Sequence, residues 1–160
     1  MTTAMTVPPL PPITVRAGAA TDAGLKRTLN EDAYLAQAPL FLVADGMGGH
    51  DAGEIASAAV IEEFAQLAGA ASASVDEVRA AYDRARERVR TLPAGAGAGA
   101  GTTLTGVVVT ELNGDAYWLM VNVGDSRTYR QSRGVLEQIS VDHSYVQELI
   151  DSGELRPEDA

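Results

Sequence analysis

The segment from Thr102 to Val123 constrains the fold of this chain most, because two β-prone runs are separated there only by Asn113-Gly114. An Asn-Gly pair between such runs is the strongest short-range signal for a β-hairpin. A second pair of runs, Thr128–Gln131 and Val135–Ile139, flanks a short turn that ends in glycine. Two hairpins in succession predict an antiparallel sheet.

Helical patterns lie on both sides of these hairpins. Asp51 with Glu54, and Ser74 with Glu77, have the spacing of helix capping pairs, and apolar residues recur at helical intervals after each pair. Ser144 begins a third predicted helix in the same way. Short apolar runs predict strands at Ile13–Ala17, Tyr34–Gln37 and Leu40–Ala44. The order of strands, two helices, strands and a helix predicts an α+β fold rather than alternating βαβ units.

Composition limits the functions that the chain can have. Its 160 residues suit one domain, and 12 Lys and Arg against 22 Asp and Glu give a net charge of −10. This charge disfavours nucleic acid as a partner and supplies the oxygen ligands that Mg²⁺ and Mn²⁺ prefer. Residues 1–12 are rich in proline and predict a disordered arm, so we expect the domain to span residues 13–160. The sequence shows no leader or membrane-spanning pattern, and we expect a cytoplasmic protein.

The run FLVADGMGGHDAGE, residues 41–54, passes from a strand pattern directly into Asp45 and a group of glycines. A carboxylate at the end of a buried strand is held rigidly while it still reaches solvent, as a metal ligand requires. A plain glycine turn with a solvated aspartate is the simpler interpretation of this run alone. However, Glu31 and Asp32 precede another predicted strand, and Asp125 follows a third. Together these acids predict a site for divalent cations.

Five segments then resemble, in order and spacing, the landmarks of one known family. TDAGLKRTLNEDA, FLVADGMGGHDAGEIAS, GTTLT, VNVGDSRTYR and ISVDHSYVQELIDSGEL are similar to the motifs of bacterial metal-dependent protein phosphatases of the PPM (type 2C) family. Members of this family dephosphorylate phosphoserine and phosphothreonine in proteins. The resemblance implies a four-layer α/β/β/α sandwich, of which this chain would be the N-terminal portion without the C-terminal strands.

The resemblance also implies roles for individual residues. Asp45 would bridge two Mn²⁺ or Mg²⁺ ions, and the carbonyl of Gly46 would bind one of them. Glu31 and Asp32 would hold waters bound to the metals, and Asp125 would help to bind a third ion. Two ions that share a carboxylate can activate a water as the nucleophile and stabilise the transferring phosphoryl group.

Other residues of the motifs have less defined roles. Arg27 matches the phosphate-binding arginine of the family, and its forked guanidinium suits two phosphate oxygens. His50 is a candidate general acid, but a structural or capping role fits it equally well because Met47, not His50, directly follows the Asp-Gly pair. His143 is expected at a helix start, and Thr102 and Thr103 are expected to pack near the site without a part in the chemistry.

Two functions stay open at this point. Family members continue beyond Ala160, and their continuation carries two further acids that bind the metals. The chain is therefore expected to be part of a protein serine/threonine phosphatase, or else a truncated or non-catalytic module that binds a phosphoprotein or a partner. Phosphorylated proteins are the expected partners, with a Ser/Thr kinase as a candidate.

Overall fold

The structure is a computed structural model that describes residues 14–48, 52–92 and 99–156. Seven strands and three helices follow in the order β1 (Asp32–Gln37), β2 (Leu40–Met47), α1 (Ala52–Ala65), α2 (Val75–Arg90), β3 (Gly101–Thr102), β4 (Leu104–Leu112), β5 (Asp115–Val123), β6 (Tyr129–Ser132), β7 (Val135–Gln138) and α3 (Tyr145–Asp151). The predicted arm, residues 1–12, lies outside the described residues.

The main sheet is antiparallel and has the strand order β1-β2-β4-β5, with β3 paired to the end of β2. The hairpin predicted at Asn113-Gly114 joins β4 to β5, and Asn113 adopts a positive φ of 56° in the turn. Strands β6 and β7 form a separate two-stranded sheet. The predicted α+β class with antiparallel sheets is therefore confirmed.

Helices α1 and α2 cover one face of the main sheet. Strand β2 alternates in burial, and its Leu40, Leu42 and Ala44 are almost completely buried toward the helices. These side chains join Phe64 of α1 and Ala81 of α2 in one hydrophobic core. Helix α2 begins with the predicted capping box, in which the Ser74 hydroxyl accepts from the Glu77 N–H. None of the described helices is both long and apolar enough to cross a bilayer.

The opposite face of the main sheet is apolar and exposed among the described residues. Tyr34, Val43, Trp118 and Met120 each expose at least two fifths of their surface. A cleft of about 590 Å³ separates this face from residues 15–21. Residues 14–17 form no strand, so the predicted strand Ile13–Ala17 is wrong for its described part. Residues 14–17 pair with none of the described strands, and a strand needs the ladder hydrogen bonds of such a partner.

Two strands differ from their predicted bounds in a way that shapes the site. Strand β2 does not end at Ala44 but continues through Asp45 and Gly46, because β1 pairs with it on one side and β3 on the other. The predicted run Thr102–Leu112 is interrupted at Thr103, which separates β3 from β4. Asp45 therefore lies within a paired strand, beside this interruption.

Candidate active site

Two of the predicted acids lie directly opposite each other on neighbouring strands of the main sheet. Asp32, the first residue of β1, is the direct cross-strand partner of Asp45 on β2. Directly opposite residues have Cβ atoms about 4.5–5.5 Å apart, and like charges in such a pair are destabilising. The Asp32 carboxylate accepts a hydrogen bond from the Thr21 hydroxyl at 3.2 Å, and the Asp32 N–H donates to the Asn30 side chain at 3.1 Å. The start of β1 is thus held in place by local hydrogen bonds.

Glu31 connects this pair to the start of α1. Its carbonyl oxygen accepts hydrogen bonds from the Gly46 N–H at 3.2 Å and from the Ser57 hydroxyl at 2.6 Å. The side chain of Glu31 lies against Gly53, since a Cβ at Gly53 would come within 2.5 Å of Glu31 Oε1. Glu31, Gly46 and the first turn of α1 therefore form one tightly packed corner.

Asp125 lies on the loop that follows β5, in an exposed position. Gly124, immediately before it, has a φ of +92° and packs against Thr103, so that a Cβ there would come within 2.8 Å of Thr103 Cγ2. The positive φ and the close contact with Thr103 each require a glycine at this position. The loop is also fastened from the C-terminal side, because the Gly124 carbonyl accepts from the His143 N–H at 2.8 Å.

The electrostatics of the site centre on Asp45. Its pKa is raised above the ordinary value of an aspartate, first by the loss of hydration and then by the negative charges of Asp32, Asp125 and Glu31. The positive charge of Arg27 acts in the opposite direction. The structure therefore brings together all four acids that the sequence singled out. A bound cation would relieve their repulsion.

Arg27 lies beside this group of acids. Its Nη1 is 4.0 Å from Glu31 Oε2, and its side chain is 78% exposed. Such a long, exposed contact contributes little to stability. The guanidinium is consequently free to turn toward a ligand at the edge of the site.

The donor set fits a hard divalent cation, because carboxylate and carbonyl oxygens are the ligands that Mg²⁺ and Mn²⁺ prefer. In the described ranges, however, no three Asp, Glu or His side chains converge closely enough to enclose an ion. The site is thus a group of neighbouring acids rather than a closed cage. His50 lies outside the described residues, so its role as general acid or structural residue stays a prediction.

An ion pair between Arg127 and Asp142 fastens the segment before α3 to the loop that carries Asp125. Arg127 donates from Nε and Nη2 to the carboxylate of Asp142, whose side chain is only 8% exposed. These hydrogen bonds hold the pKa of the Asp142 carboxyl below its ordinary value. His143 directly precedes Ser144, the N-cap of α3, in agreement with its expected place at a helix start. No periodicity in the sequence signalled the pairing of Arg127 with Asp142.

Comparison with known proteins shows the family to which the chain belongs. Residues 25–153 match the family described as protein phosphatase 2C. The chain belongs to the protein phosphatase 2C family.

Two curated relatives are serine/threonine phosphatases. The chain is 41% identical over 154 residues to the serine/threonine protein phosphatase PstP of Mycobacterium tuberculosis, which covers 92% of this chain and 29% of PstP. It is 33% identical over 126 residues to the serine/threonine phosphatase stp of Listeria monocytogenes, covering 76% of this chain and 50% of that protein.

Solved structures show the same similarity. The crystal structure of M. tuberculosis PstP/Ppp matches with a TM-score of 0.74 and 36% identity, over 87% of this chain and 59% of that chain. The PstP catalytic domain in complex with two manganese ions matches with a TM-score of 0.73, also at 36% identity, over 87% of this chain and 60% of that one. The chain thus spans less than two thirds of the relatives and structures that it matches.

Proposed function

We propose that this chain carries part of the catalytic centre of a Mn²⁺- or Mg²⁺-dependent phosphatase that hydrolyses phosphoserine and phosphothreonine in proteins. The observation that carries the proposal is the placement of Asp32 directly opposite Asp45, with Asp125 and Glu31 near enough to raise the pKa of Asp45. Neighbouring carboxylates repel one another and destabilise the fold, and a bound cation would explain why they lie together. A module that only binds a phosphoprotein has no need of them.

The residues of the site would have distinct tasks. Asp45 and the Gly46 carbonyl would hold the ions, Glu31 and Asp32 would hold their waters, and Asp125 would serve a further, weaker ion. When bound, the ions supply a water of lowered pKa and stabilise negative charge on the phosphoryl group. Arg27 would orient the phosphate through two of its oxygens, since a guanidinium fork matches that geometry. Phosphorylated proteins are the proposed substrates.

Calorimetric titration of Mn²⁺ into the wild type and Asp45→Asn tests the proposal. We expect the variant to lose most of the affinity, because the amide removes one negative charge from the centre of the site. Asp115→Asn is the matched control, since Asp115 begins β5 at the far end of that strand from Asp125. Equal binding by wild type and Asp45→Asn would refute the assignment of the site.

A further inference from the structure

We propose that Thr103 is a positioning residue of the metal site, which fixes Asp45 relative to Asp125 because its hydroxyl bonds both the Asp45 N–H and the Ser126 hydroxyl. The inference rests on the proposed function, because it concerns the same carboxylates. The sequence alone predicts only a packing role near the site for Thr103. The structure gives it contacts to the strand of one acid and to the loop of the other.

The first contact replaces a bond of the sheet ladder. Thr103 lies in the interruption between β3 and β4, where the main chain no longer follows regular pairing. The Asp45 N–H donates to the Thr103 hydroxyl at 3.0 Å, and the Thr103 N–H donates to the Asp45 carbonyl at 2.9 Å. Both backbone groups of Asp45 are therefore bound by this one threonine. A side chain without a hydroxyl would leave the Asp45 N–H without this acceptor.

The second contact reaches the loop after β5. The Thr103 hydroxyl lies 2.7 Å from the hydroxyl of Ser126, the residue that follows Asp125. A hydroxyl offers one donor and two acceptor positions, so Thr103 can accept from Asp45 and bond Ser126 at the same time. The Thr103 methyl also packs against Gly124, as the close approach to the Gly124 Cβ position shows. Thr103 thus touches the residues on both sides of Asp125.

These contacts have a consequence for metal binding. Asp45 lies on β2 and Asp125 on the loop after β5, and β2 pairs with β1, β3 and β4 but not with β5. The Thr103 hydroxyl bridges this separation with two hydrogen bonds. Partners that orient metal ligands typically change metal affinity about 10–100-fold when they are removed. We therefore expect Thr103 to set the affinity of the site without contacting an ion.

The chain offers a matched control for this inference. Thr105, two residues along, makes a hydroxyl pair of the same kind with Thr128 at 2.9 Å. Thr105 lies within β4 and its hydroxyl bond goes to Thr128 rather than to Asp45. Threonine-to-valine changes at the two positions therefore remove the same groups from neighbouring places, and only one of them is tied to the metal site.

Calorimetric titration of Mn²⁺ into wild type, Thr103→Val, Thr105→Val and Thr103→Ser tests the inference, with urea unfolding of each protein alongside. We expect Thr103→Val to lower Mn²⁺ affinity about tenfold or more, whereas Thr105→Val stays close to wild type despite a similar loss of stability. Thr103→Ser should retain the affinity, because it keeps the hydroxyl and loses only the methyl that packs on Gly124. A purely structural role for Thr103 would make Mn²⁺ affinity follow stability in all four proteins, so that Thr105→Val would lose as much affinity as Thr103→Val.

The outcomes separate this inference from the proposed function. If Asp45→Asn loses Mn²⁺ binding while Thr103→Val and Thr105→Val bind Mn²⁺ with equal affinity, the role of Thr103 is overturned and the proposed metal site still stands. No Mn²⁺ binding by the wild type would overturn both. Selective loss in Thr103→Val, restored in Thr103→Ser, would support the positioning role.

Discussion

Replacement of Gly46 by alanine tests the packed corner from which Asp45 projects. A Cβ at this position would lie 2.1 Å from the Gly53 carbonyl oxygen, 2.4 Å from the Gly53 carbonyl carbon and 2.7 Å from the Glu31 carbonyl oxygen. All three atoms belong to the backbone, so no flexible side chain can move aside. Since Gly46 is not among the glycines with a positive φ, the requirement comes from space and not from backbone conformation.

The expected cost follows from this geometry. Overpacking a well-packed region costs about 1–3 kcal/mol and occasionally more, and contacts made only by backbone place Gly46→Ala at the upper end, about 3 kcal/mol. For a domain of this size, that loss corresponds to a fall in Tm of about 6–12 °C. Thermal and urea unfolding followed by circular dichroism would measure it.

Gly18→Ala is the control, because nothing lies within 4 Å of the Cβ position at Gly18. An alanine at a compatible position stabilises by about 0.4–1 kcal/mol through the entropy of the unfolded chain. The two glycine-to-alanine changes should therefore alter the free energy of unfolding in opposite directions. A Gly46→Ala variant as stable as Gly18→Ala would refute the packing argument.

Two further predictions concern charge. Arg27→Ala should weaken binding of a phosphoserine peptide to the Mn²⁺-loaded protein about tenfold to a hundredfold, the equivalent of hydrogen bonds to a charged group. Arg27→Lys should restore only part of the lost affinity. Lys26→Ala, which removes the neighbouring positive charge, should bind the peptide as the wild type does. Equal peptide affinities for Arg27→Ala and Lys26→Ala would show that Arg27 is only a surface residue. Asp142→Asn should lower the free energy of unfolding at neutral pH, because it removes the charge that Arg127 binds. Because the folded pKa of Asp142 lies below the unfolded value of 3.8, its stabilisation is present above pH 3.8 and lost as the pH falls through the folded pKa. The free energies of unfolding of wild type and variant, measured as a function of pH, should therefore converge at low pH. A difference between them that stays constant with pH would contradict the ion pair.

Local patterns predicted the parts of the fold that depend on local chemistry. Asn113-Gly114 supplies the backbone conformation of a tight turn, and Ser74 with Glu77 satisfies the free N–H groups at the start of α2. These elements follow from residues within a few positions of one another. The same reasoning failed at Ile13–Ala17, because a strand needs a partner that no local pattern can supply.

The sequence by itself also determined which acids are candidates for the site, since Glu31, Asp32, Asp45 and Asp125 each adjoin a predicted strand. Only the tertiary structure decided that Asp32 lies directly opposite Asp45 and that Thr103 joins Asp45 to Ser126. The Thr103 contacts span 58 and 23 residues of sequence. Such contacts depend on strand register, and register is set by burial of the whole β2 and β4 faces against the helices rather than by any residue near the site.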